Sequence, residues 1–178
     1  MLNRAVASEI PRILGPAVET LYFDLLQFFY HFALAILVGG SFVLGTSVAP
    51  ALFAVSRSRA EAGTAFGGVL ARFDGWALLA VLLLALTSVL KATAFEVTGA
   101  LEPRLVARWV LLAALAAATL YASGWANPVA RSIRSQTPGF DDLPATAPAR
   151  AEFARMHARS RQATSVAFVL GLIALFLS

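Results

Sequence analysis

The stretch FFYHFALAILVGGSFVLGTSVA, residues 28–49, decides the fold. Its 22 residues include no Asp, Glu, Lys or Arg, and His31 is its one ionisable side chain. A helix of this length spans the roughly 30 Å hydrocarbon core of a bilayer. Because lipid cannot hydrogen-bond backbone amides, so long an apolar run must be helical there. We therefore predict a membrane-spanning helix that ends at Pro50, since proline interrupts helical hydrogen bonding.

The composition indicates an integral membrane protein. The 178 residues are 59% hydrophobic and only 13% charged, whereas about a quarter of a soluble domain is charged. Cys is absent and Met occurs twice, which excludes disulfides and Cys-ligated metals and argues against a copper(I) pathway. No basic run is interleaved with aromatic residues, so we expect the lipid bilayer and not nucleic acid as the partner.

Three further apolar stretches complete an all-α, integral membrane four-helix bundle. The predicted four-transmembrane-helix domain covers 21–178, with spans at about 21–49, 73–95, 105–126 and 158–177. Residues 1–20 are interpreted as an interfacial N-terminal segment. We also expect an interfacial helix after the first span, near 60–70, and a long cytoplasmic connection before the fourth.

The distribution of basic residues predicts the orientation. Nine basic residues belong to the side with the two long connections: Arg57, Arg59, Arg72, Arg131, Arg134, Arg150, Arg155, Arg159 and Arg161. Five belong to the other side: Arg4, Arg12, Lys91, Arg104 and Arg108. The positive-inside rule then places the long connections in the cytoplasm and both termini outside. We expect the protein in a bacterial inner membrane.

Six polar residues are predicted to cluster in the outer half of the bundle. Three share one face of the first helix and three lie at matching depth on the second: Asp24, Gln27, His31, Thr87, Ser88 and Lys91. An ionisable side chain at this depth costs several kcal/mol unless it is paired or hydrated, and such groups usually mark a site. Gly171 is expected to leave space beside the cluster.

The ionisable members of the cluster have two interpretations each. His31 is either a ligand or proton-handling group, or a packing residue bonded to Ser88 or a carbonyl. Lys91 either extends to the headgroups or pairs with Asp24. His157 belongs to the opposite side of the membrane, so a haem iron would have His31 as its single axial ligand. No metal site and no catalytic residue are predicted.

Several short motifs resemble the transmembrane protein 205-like domain over residues 24–177. Beside His31, the residues that carry the resemblance are Gly39, Gly40, Pro50, Phe53, Asn127, Pro128, Phe153, His157 and Ser160. Thr164 and Met156 depart from the pattern, because the family often has Asn at the first position and usually Leu at the second. The resemblance implies a four-helix membrane domain without an established activity. A looser similarity to the copper-resistance protein D domain rests on an early His followed by Gly-Gly.

Three functions remain open from the sequence. The leading hypothesis is a small-molecule or ion-handling membrane module whose site is the cluster around His31. Four helices make a thin wall for a pathway, so this module would be a homo-oligomer. The second hypothesis is a haem-binding redox module with His31 as axial ligand. The third is a structural partner of another membrane protein, packed through small residues four apart such as Ala35 and Gly39.

Overall fold

The computed structural model describes residues 3–97 and 102–178, with side chains described from Gly15 onward. Six α-helices occur in this part of the chain: α1 (Asn3–Val43), α2 (Ala49–Val55), α3 (Arg59–Lys91), α4 (Pro103–Thr119), α5 (Asn127–Gln136) and α6 (Pro148–Leu177). π-helical segments extend or connect them at Leu44–Val48, Ala92–Glu96 and Leu120–Ala126. The prediction for residues 1–20 lies largely outside the described side chains, as does part of the short connection after Glu96.

These elements join into four long helical stretches, each apolar enough to cross a membrane. They are Gly15–Val55, Arg59–Glu96, Pro103–Gln136 and Pro148–Leu177. No strand occurs among the described residues. The predicted all-α membrane helical bundle is confirmed, although its helices are longer than the predicted spans.

The predicted ends of the first helix at Pro50 and of the third at about residue 126 are wrong. Pro50 lies in the first turn of α2 and Pro128 in the first turn of α5, and both helices continue beyond them. Each proline follows a π-helical segment, in which the N–H of a residue bonds the carbonyl five positions earlier. This change in hydrogen-bond register accommodates the N–H that proline lacks, so the chain stays helical.

The segment predicted as an interfacial helix, near 60–70, is helical but continuous with α3. Ser58 caps this helix by accepting a 3.1 Å hydrogen bond from the Glu61 N–H, and Glu61 accepts one from the Arg57 N–H at 2.9 Å. This reciprocal capping starts the helix at Arg59. No proline follows before Lys91, so nothing divides an interfacial part from the spanning part.

An apolar core fills the middle of the bundle. It is formed by Tyr30, Ala33, Leu34 and Leu37 of α1, Ala77, Ala80, Val81 and Leu84 of α3, Leu112 and Leu115 of α4, and Ala174 of α6. Gly171 lies against this core, where an added Cβ would be 2.5 Å from Val38 Cγ2. The space expected beside Gly171 is therefore filled. Gly40 similarly faces the Phe73 ring, whereas Gly39 has open space around it.

The connection before α6 is anchored by one aromatic side chain. Phe140 is buried, with the guanidinium carbons of Arg134 and Arg150 at 5.8 and 5.3 Å from its ring centroid. Arg134 also pairs with Asp141 at 2.8 Å and donates to the Ala60 carbonyl at 3.0 Å. These contacts hold the connection against the ends of α3 and α5.

Candidate functional site: two buried polar clusters

One group of polar side chains lies where α1, α3 and α4 meet at one end of the bundle. We call it the Lys91 cluster, and its members are Gln27, His31, Lys91, Glu96 and Arg108. Three of these were predicted to lie together. Glu96 and Arg108 were not, although their positions on either side of the short connection between α3 and α4 bring them close.

Lys91 is the centre of this cluster. Only 3% of the residue is exposed, so it does not extend to the headgroups. Its ammonium donates a hydrogen bond to Gln27 Oε1 and lies 3.7 Å from Glu96 Oε1. The Tyr30 ring covers it at 4.9 Å from Nζ to the centroid. The alternative pairing with Asp24 is therefore wrong: the carboxylate beside Lys91 is Glu96, because the π-helical segment after α3 turns Glu96 back toward it.

A chain of hydrogen bonds connects Lys91 to His31. Because an ammonium only donates, Gln27 presents its amide oxygen to Lys91 and its amide nitrogen to His31 Nε2, at 3.5 Å. His31 Nδ1 lies 3.0 Å from the Gln27 carbonyl oxygen, which only accepts, so Nδ1 carries a hydrogen. His31 Nε2 is also 3.0 Å from the hydroxyl of the exposed residue Ser178. In this tautomer Nε2 is the acceptor of the ring, and it faces the Gln27 amide and the Ser178 hydroxyl.

Three predicted members do not bond to His31. Thr87 donates to the Leu83 carbonyl of its own helix at 2.8 Å. Ser88 is one turn from Lys91, and its hydroxyl has no hydrogen-bond partner among the described residues. Asp24 is exposed and makes no ion pair within the described part of the chain.

A second group, the Asp74 cluster, joins α3, α5 and α6 at the other end of the bundle. Its members are Asp74, Asn127, Arg131 and Ser160. Asp74 is 3% exposed. It accepts a 2.8 Å hydrogen bond from Asn127 Nδ2 and a 2.5 Å bond from Arg131 Nη1. Ser160 donates to the remaining amide oxygen of Asn127.

Sequence reasoning identified Asn127 and Ser160 through the resemblance but missed Asp74. The sequence could have indicated a buried polar site at Asp74, because Asp74 is the one acidic residue between Glu61 and Glu96 in a long apolar run. With each carboxylate oxygen and both Asn127 groups bonded, this cluster has the saturated hydrogen bonding of a structural connection.

The other motif residues lie apart from both clusters. Pro50 and Phe53 are exposed on α2. His157 stacks on Phe153, with ring centroids 5.9 Å apart. Since His31 contacts Ser178, and Ser178 follows His157 by 21 residues, the histidines are separated by about 31 Å of helix. Among the described side chains, no group of three or more His, Asp or Glu is placed to hold a metal ion.

Comparison with known families gives one match. The model of a family described as a domain of unknown function, DUF4149, matches residues 32–138, which is more than half of the chain. The match includes Asp74, Asn127, Lys91, Glu96 and Arg108. Searches of curated proteins and of solved structures found no match.

Proposed function

Since the chain belongs to the DUF4149 family, whose function is unknown, its activity has to be inferred from its own site, and we propose that it is a small-molecule or ion-handling membrane module. The site of this module is the Lys91 cluster. One observation carries the proposal: a buried ammonium is connected through Gln27 to a histidine whose Nε2 faces an exposed hydroxyl.

The cost of burying charge supports this proposal. Lys91 has to be removed from water, and a charged group within a membrane helix is expensive even when it is paired. A packing role would be met at lower cost by an apolar side chain, as it is throughout the core. His31 adds an imidazole whose Nε2 can accept a hydrogen bond from a ligand. Buried charge next to such a group favours handling of a polar ligand or ion.

The proposal also covers the orientation of the module in the membrane, its closer family resemblance and its oligomeric state. We propose that the Lys91 cluster lies at the outer face of a bacterial inner membrane and the Asp74 cluster near the cytoplasm, because the distribution of basic residues favours this orientation. The closer resemblance to the transmembrane protein 205-like domain is supported by the hydrogen bond between Asn127 and Ser160. We propose a homo-oligomer, because a single four-helix bundle with a closed apolar core leaves no path through it.

Native mass spectrometry of the gently extracted protein, without added ligand, tests this function. We expect a bound mass that His31→Ala and Lys91→Gln lose. His157→Ala is the matched control, because it removes the other histidine at the opposite end, and it should keep that mass. A bound haem would also show a Soret band and would favour the redox alternative. A protein that carries no ligand, or one whose ligand survives both cluster substitutions, would contradict the proposal.

A further inference from the structure

Three buried polar atoms lack a hydrogen-bond partner among the described residues, and they belong to one region. They are the Tyr30 hydroxyl, the Ser88 hydroxyl and Arg108 Nε. The Tyr30 ring covers Lys91 from α1, and Ser88 precedes Lys91 by one turn of α3. Arg108 of α4 pairs with Glu96, the carboxylate beside Lys91. A buried donor without a partner loses the hydrogen bonds that it would make to water, which destabilises the protein. Three such donors on residues that neighbour Lys91 or Glu96 indicate a site that a ligand completes.

The chemistry of these groups restricts the ligand. Arg108 Nε and Lys91 Nζ only donate, and the two hydroxyls donate readily. The acceptors nearby are Gln27 Oε1 and Glu96, but both are engaged: Gln27 accepts from Lys91, and the two Glu96 oxygens face Arg108 and Lys91. Two cations against one carboxylate leave a positive charge in excess. This arrangement repels cations and favours an anion with several acceptor atoms.

We infer that the Lys91 cluster binds a small oxyanion of the phosphate type. This inference rests on the proposed function, since it names the ligand class of the same site. The unpartnered donors belong to three helices that meet at the Lys91 cluster. Several donors suit an anion with several oxygens, and a guanidinium N–H is a preferred partner of phosphate.

The position of the cluster allows such a ligand to enter from the surface. Glu96 and Arg108 keep 17% and 14% of their side chains exposed. Glu96 ends the π-helical segment after α3, and Arg108 lies in the second turn of α4. An oxyanion at this level comes either from a phospholipid headgroup or from the surrounding water. Both sources offer the same phosphate oxygens.

Tyr30→Phe is the decisive variant. It removes the hydroxyl but keeps the ring that covers Lys91. Tyr22→Phe is the matched control, because Tyr22 lies at the same end with an exposed side chain, packed on Phe95 at 5.6 Å. A hydrogen bond to a charged acceptor contributes about 1.5–3 kcal/mol, so we expect roughly 10- to 100-fold weaker anion binding in Tyr30→Phe and none of this loss in Tyr22→Phe.

Binding is measured by native mass spectrometry in a maltoside detergent, which contains no phosphate, with phosphatidylglycerol or inorganic phosphate added as the probe. Retained phosphatidylglycerol that Tyr30→Phe loses identifies the headgroup. Binding of inorganic phosphate, lost in the same variant, identifies the free anion. Either result supports the inference.

Two other outcomes overturn it and separate it from the function on which it rests. A cation or neutral molecule that His31→Ala and Lys91→Gln release would leave the proposed function standing and refute the oxyanion. Absence of any ligand would refute both. Melting temperature in the same detergent without either probe gives an independent check: Tyr30→Phe should melt no lower than the wild type. A lower value would mean that the hydroxyl has a partner within the protein.

Discussion

The Asp74 cluster gives the sharpest stability prediction. In Asp74→Asn the side chain keeps its size but loses its charge. The new amide oxygen can still accept from Asn127 Nδ2, but the amide nitrogen then faces the guanidinium of Arg131, where one donor opposes another. The variant therefore loses a charge-assisted hydrogen bond at a position that is buried on the Asp74 side.

The expected loss of stability depends on the strength of this hydrogen bond and on how exposed its two partners are. A hydrogen bond to a charged group contributes about 1.5–3 kcal/mol. Arg131 keeps 35% of its side chain exposed, so water replaces part of the interaction that Arg131 loses. The expected loss of stability therefore lies in the lower half of this range. We expect Asp74→Asn to lower the free energy of unfolding by about 2 kcal/mol.

The measurement is unfolding by SDS titration in mixed micelles, followed by tryptophan fluorescence. Trp76 and Trp125 lie two residues from Asp74 and Asn127, so they report on this end of the bundle. Asp24→Asn is the matched control: the same change at an exposed carboxylate should alter stability by less than about 0.5 kcal/mol. Equal losses in the two variants, or no loss in Asp74→Asn, would refute the structural role of the cluster.

Two further predictions concern packing. Gly171→Ala should destabilise the bundle by about 1–3 kcal/mol, because its Cβ would be 2.5 Å from Val38 Cγ2. Gly39→Ala, with open space around it, should be neutral or slightly stabilising, and the SDS titration compares the two; a reversed order would contradict the packing. Phe140→Ala should release the connection before α6 and speed its cleavage by trypsin at Arg134 or Arg150 at least several-fold, measured by mass spectrometry, whereas unchanged cleavage would show that Phe140 is not the anchor.

The class of fold could be predicted because it depends on local properties. Apolar runs of about 20 residues with few charges permit little except helices in a bilayer. The errors at Pro50 and Pro128 have a common reason. In a sequence, a proline predicts the end of a helix. A preceding π-helical turn changes which carbonyls need donors, so the helix can continue. No residue pattern in LGTSV or LYASGWA predicts that turn.

The polar sites were harder to predict for a different reason. Residue spacing places Gln27 and His31 on one face of a helix, but it does not say which residue of another helix meets that face. Counting residues from assumed helix ends matched Lys91 with Gln27 in depth, but for its charge it left only the headgroups or Asp24 as partners. The actual partner, Glu96, lies in a π-helical turn that the count treated as the end of the span. Asp74 depends on partners more than 50 residues away in sequence, and no local pattern connects them.

The separation of the two clusters limits how this protein could work. Asp74 and Lys91 lie on the same helix, 17 residues apart, which corresponds to about 25 Å. The apolar core lies between them, and its largest members, Tyr30, Leu34 and Leu115, are almost completely buried. A ligand at the Lys91 cluster therefore has no polar route to Asp74 through the interior of one chain. In a monomer, a ligand must therefore enter and leave the Lys91 cluster at the same face of the membrane. Transport of the ligand across the membrane would require a path between chains. Flux from proteoliposomes that scales with oligomer content would support such a path, whereas flux from a monomer would mean that the core opens.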